Sequence, residues 1–258
     1  MFIEERHQAI LNLIAQNGKI TTSEIQEQFG VSYDSAKRDL RILEEKGLLK
    51  RTHGGAIPAR QIASGKPPMV TCKDISEVKD NYMAIAQKAV SMIQNQDVIF
   101  ITSATVGYFM AQNIPDSVQI RVVTNSIVIA EELRKRANIS VIMLGGEMDN
   151  KGNCYDAFAI DTIRKLRFDK CFITAAAISA NFGLSIQKSQ AISFWNAVID
   201  SSKQTIGLFP TEKIGFESIV SICPANRLDI LVTDWNALEE DLVQFDEQGI
   251  EIIVVDKE

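Results

Sequence analysis

The sequence predicts an α/β protein in two parts, a small helical head ahead of a larger body built on a mainly parallel sheet. Three observations carry this expectation. From residue 98 onward, short apolar runs of strand character alternate with longer helical segments, the order of a parallel sheet covered on both faces. Residues 58–73, PARQIASGKPPMVTCK, hold Pro58, Gly65, Pro67 and Pro68 with little periodicity, the composition of a linker. The charge divides at the same place: residues 1–60 carry nine Lys/Arg against eight Asp/Glu, and residues 61–258 carry eighteen against twenty-five. A near-neutral head on an acidic body, in a chain of net charge −6, points to two separate tasks. The expected division is a head at 1–57, a linker at 58–73 and a body at 74–258.

Composition narrows the class. With 46% hydrophobic and 23% charged residues the chain is ordinary globular material. Its start, MFIEERHQAI, has acids where a signal peptide has a basic region, and no apolar run approaches the ~18 residues that span a bilayer. A cytoplasmic protein without a membrane partner is expected. Cys72, Cys154, Cys171 and Cys223 are widely spaced, and the only histidines are His7 and His53, so no metal site, cofactor or disulfide scaffold is expected.

In the head, Ile3, Ile10, Leu11 and Ile14 share one helix face, and Asn17-Gly18 ends that helix. Thr21-x-x-Glu24 is a capping-box pattern for a second helix carrying Ile25 and Phe29, closed by Gly30. Ser32 caps a third helix whose Ala36, Leu40 and Leu43 form an apolar back. At ~100° per residue Arg38 and Arg41 then face away from that back, Lys37 and Ser35 flank them, and Ile42 leans outward. Three short helices with a tight turn before the third make a helix-turn-helix. An arginine front entered through Ser32-Tyr33 suits the major groove of double-stranded DNA.

Gly47 is expected to end the third helix. Leu48-Leu49-Lys50-Arg51-Thr52 reads as a short strand, and Gly54-Gly55 as a turn using φ > 0. The hairpin would be the wing of a winged helix, with Lys50 and Arg51 against phosphates; His53 either joins them or caps the turn.

Several stretches together resemble the DNA-binding head of the DeoR family of bacterial transcriptional repressors. They are Arg6-x-x-x-Ile10, Val31-Ser32-Tyr33-Asp34-Ser35-Ala36-Lys37-Arg38-Asp39-Leu40, and the run from Leu43-Glu44-Glu45-Lys46-Gly47 to His53-Gly54-Gly55-Ala56. The family usually has threonine at Ser35 and isoleucine-arginine at Ala36-Lys37; these swaps keep a small hydroxyl and a positive charge.

In the body, strands are expected at 98–101, 121–124, 140–144, 170–174, 205–208, 230–233 and 250–255. Helices are expected at 82–93, 127–136, 157–166 and 190–201. Ligands of such sheets bind in the loops beyond the strands' carboxyl ends. Those loops read Thr102-Ser103-Ala104-Thr105-Val106, Thr124-Asn125-Ser126 and Leu144-Gly145-Gly146, with Lys213 after a later strand. Hydroxyls and amides opening helices hold anions, and a nearby lysine adds charge for a phosphate.

The order of the body also resembles the DeoR effector domain, similar in fold to ribose-5-phosphate isomerase and glucosamine-6-phosphate deaminase. The matching landmarks are Thr124-Asn125-Ser126, Gly145-Gly146, Asp169-Lys170-x-Phe172, Gly183-Leu184 and Thr233-Asp234. The resemblance implies a homo-oligomeric regulator of a carbohydrate-metabolism operon, controlled by a phosphorylated sugar. Three departures mark the pocket. The usual Asp-x-Gly-Thr-Thr loop is replaced by Thr102-Ser103-Ala104-Thr105-Val106, Asp156 stands where a glycine is usual, and Pro210-Thr211-Glu212-Lys213 keeps only the lysine of Asp-x-Ser-Lys. One alternative is a regulator whose altered pocket answers to a protein partner or to no ligand. Another is a sugar-phosphate isomerase or deaminase with a DNA-binding head. The enzyme would need a placed proton carrier, and the body has no histidine and only Asp149, Asp156 and Asp169 as candidate acids; no catalytic residue is expected.

Overall fold

The computed structural model describes residues 3–17, 19–46, 48–52, 54–58 and 80–257. The chain divides into two compact units, Met1–Gln61 and Ile62–Glu258.

The first unit runs α1 (Ile3–Asn17), β1 (Ile20–Thr21), α2 (Thr22–Phe29), α3 (Tyr33–Glu45), β2 (Leu49–Thr52) and β3 (Gly55–Pro58). Its core is Ile10, Ile14, Ile25, Ala36, Leu40 and Leu43, from the helix faces that the periodicity assigns, with Ile20, Leu49 and Ala56 from the strands; Ile3, expected on the same face as Ile10, is exposed at the start of α1. The Thr21–Glu24 capping box forms in full, and Gly30 closes α2 in the left-handed conformation. Ser32 accepts the Ser35 amide at 3.2 Å and starts α3. Helix α3 ends at Glu45 with Lys46 as its cap; Gly47, expected there, lies outside the described residues, as does His53. Leu48 is exposed and precedes the strand it was expected to join.

The three strands pair antiparallel in the order β1-β3-β2. Strand β1 is too short to announce itself in sequence. It also explains the glycines differently from expectation. Neither Gly54 nor Gly55 has positive φ; Gly55 is required because β1 crosses directly over it, and a Cβ there would stand 2.0 Å from the Ile20 carbonyl oxygen. Gly55→Ala is expected to force β1 off the hairpin and to cost about 1–3 kcal/mol, as overpacking does. Hydrogen exchange of the β3 amides in the full chain checks this, and unchanged protection would show that the crossing yields freely.

The second unit comprises α4 (Asp80–Ser91), β4 (Val98–Ile101), α5 (Thr105–Asn113), β5 (Ile120–Thr124), α6 (Ile127–Leu133), β6 (Ile139–Met143), α7 (Ala157–Arg164), β7 (Phe168–Ile173), β8 (Ala177–Ser179), β9 (Gly183–Ile186), α8 (Ile192–Asp200), β10 (Ser202–Leu208), β11 (Val220–Cys223), β12 (Ile230–Asp234), α9 (Glu239–Asp246) and β13 (Glu251–Val255). Seven strands form one wholly parallel sheet in the order β13-β12-β10-β7-β4-β5-β6. Both faces are buried. Ile99, Ile101, Phe172, Ile206 and Val232 pack with α4, α5 and α6, whereas Phe100, Cys171, Ile173 and Leu231 pack with α7, α8 and α9. A small antiparallel sheet, β11-β9-β8, is added after β7. The described cysteines, Cys154, Cys171 and Cys223, are buried free thiols.

This strand order contains a topological switch point. From β4 the chain builds outward through β5 and β6; it then returns to the other side of β4 and builds through β7, β10, β12 and β13. The direction reverses between β4 and β7, and in open parallel sheets a crevice forms at that point, outside the carboxyl ends.

Candidate functional sites

On α3 the buried side carries Ala36, Asp39, Leu40 and Leu43, so Lys37, Arg38 and Arg41 are left exposed. With Asp34 and the strand residue Arg51 they line one shallow cavity of about 380 Å³. The Lys37 ammonium lies 4.6 Å above the Tyr33 ring, and the Ser32 and Ser35 hydroxyls bond to each other at 3.0 Å. Arg51 is tied to the end of α3: its amide donates to Glu44 Oε1 at 2.8 Å and its guanidinium lies 3.6 Å from Glu44 Oε2. Lys50 is half-buried on the same strand, and Ile42 is half-buried on α3. Four cations and the Asp34 carboxylate line this concave surface; Arg51 is shared with Glu44 and Arg41 lies 3.9 Å from Glu45, which leaves a basic front on α3.

Behind that front lies a group that periodicity alone misses. Asp39, 1% exposed, receives Arg6 Nε at 2.6 Å and Arg6 Nη2 at 3.1 Å, and contacts His7 Nε2 at 3.1 Å. The Asp39 bond holds the Arg6 pKa above its ordinary value. The i, i+3 relation of Asp39 to Ala36, on the apolar face, was the available signal.

In the crevice, β4 ends in a buried Thr102 and the chain turns through Ser103 and Ala104 into α5. Ala104 is an N-cap with no side chain able to accept a hydrogen bond. The first turn it opens is buried: Thr105 is 5% exposed and Val106 1%, and the Thr105 hydroxyl has no partner. Val106 points into the core, so it and Ala104 offer backbone only. Helix-opening amides lack intrahelical acceptors by construction, and no side chain caps those of α5.

The neighbouring loops divide into brace and wall. The Thr124 hydroxyl donates to the Ile101 carbonyl at 3.1 Å and accepts the Ser126 amide at 3.2 Å. Asn125 Nδ2 donates to the Cys154 carbonyl at 3.2 Å, and Ser126 bridges Asn153. The Thr124 hydroxyl and the Asn125 amide therefore fasten the long excursion after β6, while Asn125 Oδ1 is buried without a partner among the described residues and the Ser126 side chain makes no capping bond to α6. Ser103 Oγ and Tyr155 Oη meet at 2.7 Å across it. Gly145 is open to solvent, whereas Gly146 sits at φ +146° against the Asp156 carboxylate. Asp156 caps α7: its oxygens accept the Glu147 amide at 2.7 Å and the Ala159 amide at 3.2 Å, and these bonds lower its pKa.

On the other side of the switch point Lys213 occupies a short 3-10 turn after β10. Its ammonium donates to Thr174 Oγ1, at the end of β7, at 3.3 Å. Burial pushes its pKa down to about 8, with Glu212 opposing. The turn is anchored by Asp234, fully buried at the end of β12, which accepts the Thr211 amide and hydroxyl at 2.8 Å each and Asn81 Nδ2 at 3.0 Å. Burial raises the Asp234 pKa, but the Thr211 and Asn81 bonds outweigh it and the net direction is down. Asn81, in the first turn of α4, also reaches Glu212 Oε2 at 3.2 Å. Tyr155, Thr174, Thr211 and Asn81 were not expected at this site; Asp234 was noted only as part of a Thr-Asp landmark.

The acids weighed for catalysis serve structure. Asp169 binds Lys203 at 2.7 Å and the Val98 amide at 2.9 Å, at the amino ends of the strands. Asp149 accepts the amides of Lys151 and Asn153 within its own loop, at 2.9 Å each.

A helix-turn-helix with a β-hairpin wing, followed by a parallel-sheet domain with a topological switch point, is the architecture of a class of transcriptional regulators. Residues 6–61 match the DeoR-like helix-turn-helix domain, and residues 78–235 match the DeoR C terminal sensor domain. The chain is 30% identical over its whole length to the HTH-type transcriptional repressor GlcR of Bacillus subtilis, covering 98% of that protein. It is 28% identical to the glycerol-3-phosphate regulon repressor of Escherichia coli, over 89% of this chain and 90% of that one. The ribose 5-phosphate isomerase of Plasmodium falciparum aligns over 51% of both chains at 17% identity, with a TM-score of 0.37. The chain belongs to the DeoR family of transcriptional regulators.

Proposed function

We propose that the chain is a repressor that holds an operator through α3 and the wing and is controlled by a small phosphorylated sugar or polyol in the β4–β7 crevice. Residues 1–57 bind DNA, 58–73 link, and 74–258 sense the effector and pair copies of the chain on a repeated or palindromic operator in the cytoplasm. One observation carries the effector half: the buried, uncapped first turn of α5 with the partnerless Thr105 hydroxyl, across the switch point from Lys213. The relatives named for a glycerol-3-phosphate regulon support the same ligand class. For the DNA half, Arg38 and Arg41 stand exposed on the helix front.

On an operator selected from a random duplex pool, Arg38→Ala is expected to cost about 1–3 kcal/mol and to relax preference at one position, as loss of a base-reading arginine does. Lys50→Ala is expected to weaken all sequences alike and to flatten the salt dependence. Both variants binding like the natural chain in gel shifts at moderate salt would refute the groove assignment.

A further inference from the structure

Two helix N-termini of the body meet near the crevice, and the chain treats them oppositely. Helix α5 opens with Ala104 and has no side-chain cap; helix α7 opens with Asp156, whose carboxylate takes the Ala159 and Glu147 amides. The two are joined across the crevice by the Ser103–Tyr155 bond at 2.7 Å, Tyr155 being the residue before Asp156. The Gly145-Gly146 turn closes on the same carboxylate: a Cβ at Gly146 would lie 2.2 Å from Asp156 Oδ1. Along the loop from Leu144 to Asp156 the charged residues are Glu147, Asp149 and Asp156 against Lys151, so this wall carries net negative charge.

Resting on the effector reading above, we infer that the crevice takes a ligand with one phosphate, seated on the first turn of α5, and that Asp156 acts as a built-in anion that shuts out a second phosphate. An N-terminal turn that already carries its own capping carboxylate has fewer donors to offer a ligand oxyanion, and a second dianion beside that carboxylate meets like charge at short range. The remainder of the ligand at this wall is hydroxyl-bearing, since hydroxyls can donate to the outer lone pairs of Asp156 and to Tyr155 Oη. Asp156 is thus a specificity-determining residue.

The test compares matched pairs on the full chain by calorimetry: fructose 6-phosphate with fructose 1,6-bisphosphate, and ribulose 5-phosphate with ribulose 1,5-bisphosphate. The natural chain should bind the monophosphate of at least one pair about tenfold or more tighter than its bisphosphate, the size expected of a close like charge in a partly desolvated site. Asp156→Asn keeps an oxygen to cap α7 and removes the charge; it should shrink that ratio severalfold, and Asp156→Gly should erase or invert it. Bisphosphate binding as tight as monophosphate in the natural chain, or a ratio unmoved by both substitutions, overturns this inference and leaves the effector reading standing. Absence of any phosphate binding in all three proteins overturns both.

Discussion

Asp39→Ala is expected to destabilise the head by about 3–5 kcal/mol, the cost of removing one partner from a buried ion pair. The carboxylate is 1% exposed and gathers two Arg6 nitrogens and His7; alanine strands the Arg6 guanidinium, 14% exposed at its side chain, against an apolar core. Arg6→Ala should cost less, because His7 Nε2 still faces Asp39 at 3.1 Å. Since both changes act on the same buried cluster, the double variant should lose well under the sum of the two. Arg6→Met with Asp39→Leu together should recover much of the stability, because apolar replacement of a whole buried pair is often neutral or better. Hydrogen exchange of α1 and α3 amides in the full chain measures all four. Single variants within about 1 kcal/mol of the natural chain would mean that water reaches the pair. The pair also matters for DNA. Asp39 pins the roll of α3 about its axis and so decides where Arg38, one residue earlier, and Arg41, two residues later, aim. Variants that remain folded should therefore lose sequence preference before they lose salt-sensitive, non-specific binding.

What the sequence made legible follows from what is local. All seven parallel strands were visible as apolar runs; in the central ones this follows from burial on both faces, as in β4, where Ile99 and Ile101 pack on one side and Phe100 on the other. Helix α5 was not visible as a helix because nearly all of its residues are buried, so Thr105–Asn113 shows no polar face and opens with two β-branched residues. Helix α9 did have a signal: Glu239, Glu240 and Asp241 fill its first turn, where acids favour the helix dipole, ahead of Leu242 and Phe245. The small sheet of β8, β9 and β11 has strands of three and four residues, below the length at which alternation can be read. In the crevice, Ser103, Thr105 and Lys213 were found because strand-end loops can be located from the strands. The Asn81–Asp234 bond could not be: its partners are 153 residues apart and each looks ordinary in its own neighbourhood. Asp156 stood out only as the replacement of a usual glycine; an Asp three residues before Ala159 is a local N-cap signal, whereas its bond to the Glu147 amide depends on the return of the chain, which no local pattern encodes.

The largest effect on ligand binding should come from Lys213, and it should depend on pH. Burial lowers its pKa from 10.5 to about 8, while Thr174 accepts its proton at 3.3 Å. The unfolded chain therefore holds more protons than the folded one between about pH 8 and 10.5, and stability from this group rises with pH across that window. A sugar phosphate, dianionic throughout the window, reverses the preference by favouring the ammonium and raising its pKa again. Below about pH 8 the lysine is already charged and affinity should be flat with respect to this group. Above it, each binding event must take up a proton, and affinity should fall about tenfold per pH unit until the pKa of the complex is reached. Calorimetry in buffers of different ionisation enthalpy reads that proton directly. Lys213→Met removes a charge-assisted hydrogen bond, about 1.5–3 kcal/mol or roughly tenfold to a hundredfold in affinity, and should remove the proton uptake with it. The same change places an apolar chain where the fold now holds a half-buried cation, so the unliganded body should be about as stable as before at pH 7. The Asp234 anchor of the turn is untouched by this substitution, since it holds Thr211 and Asn81 and not the lysine. Loss of binding with retained stability would therefore locate the effect in the ammonium. Affinity that is level from pH 7 to 10, or equal in the methionine variant, would remove Lys213 from the site.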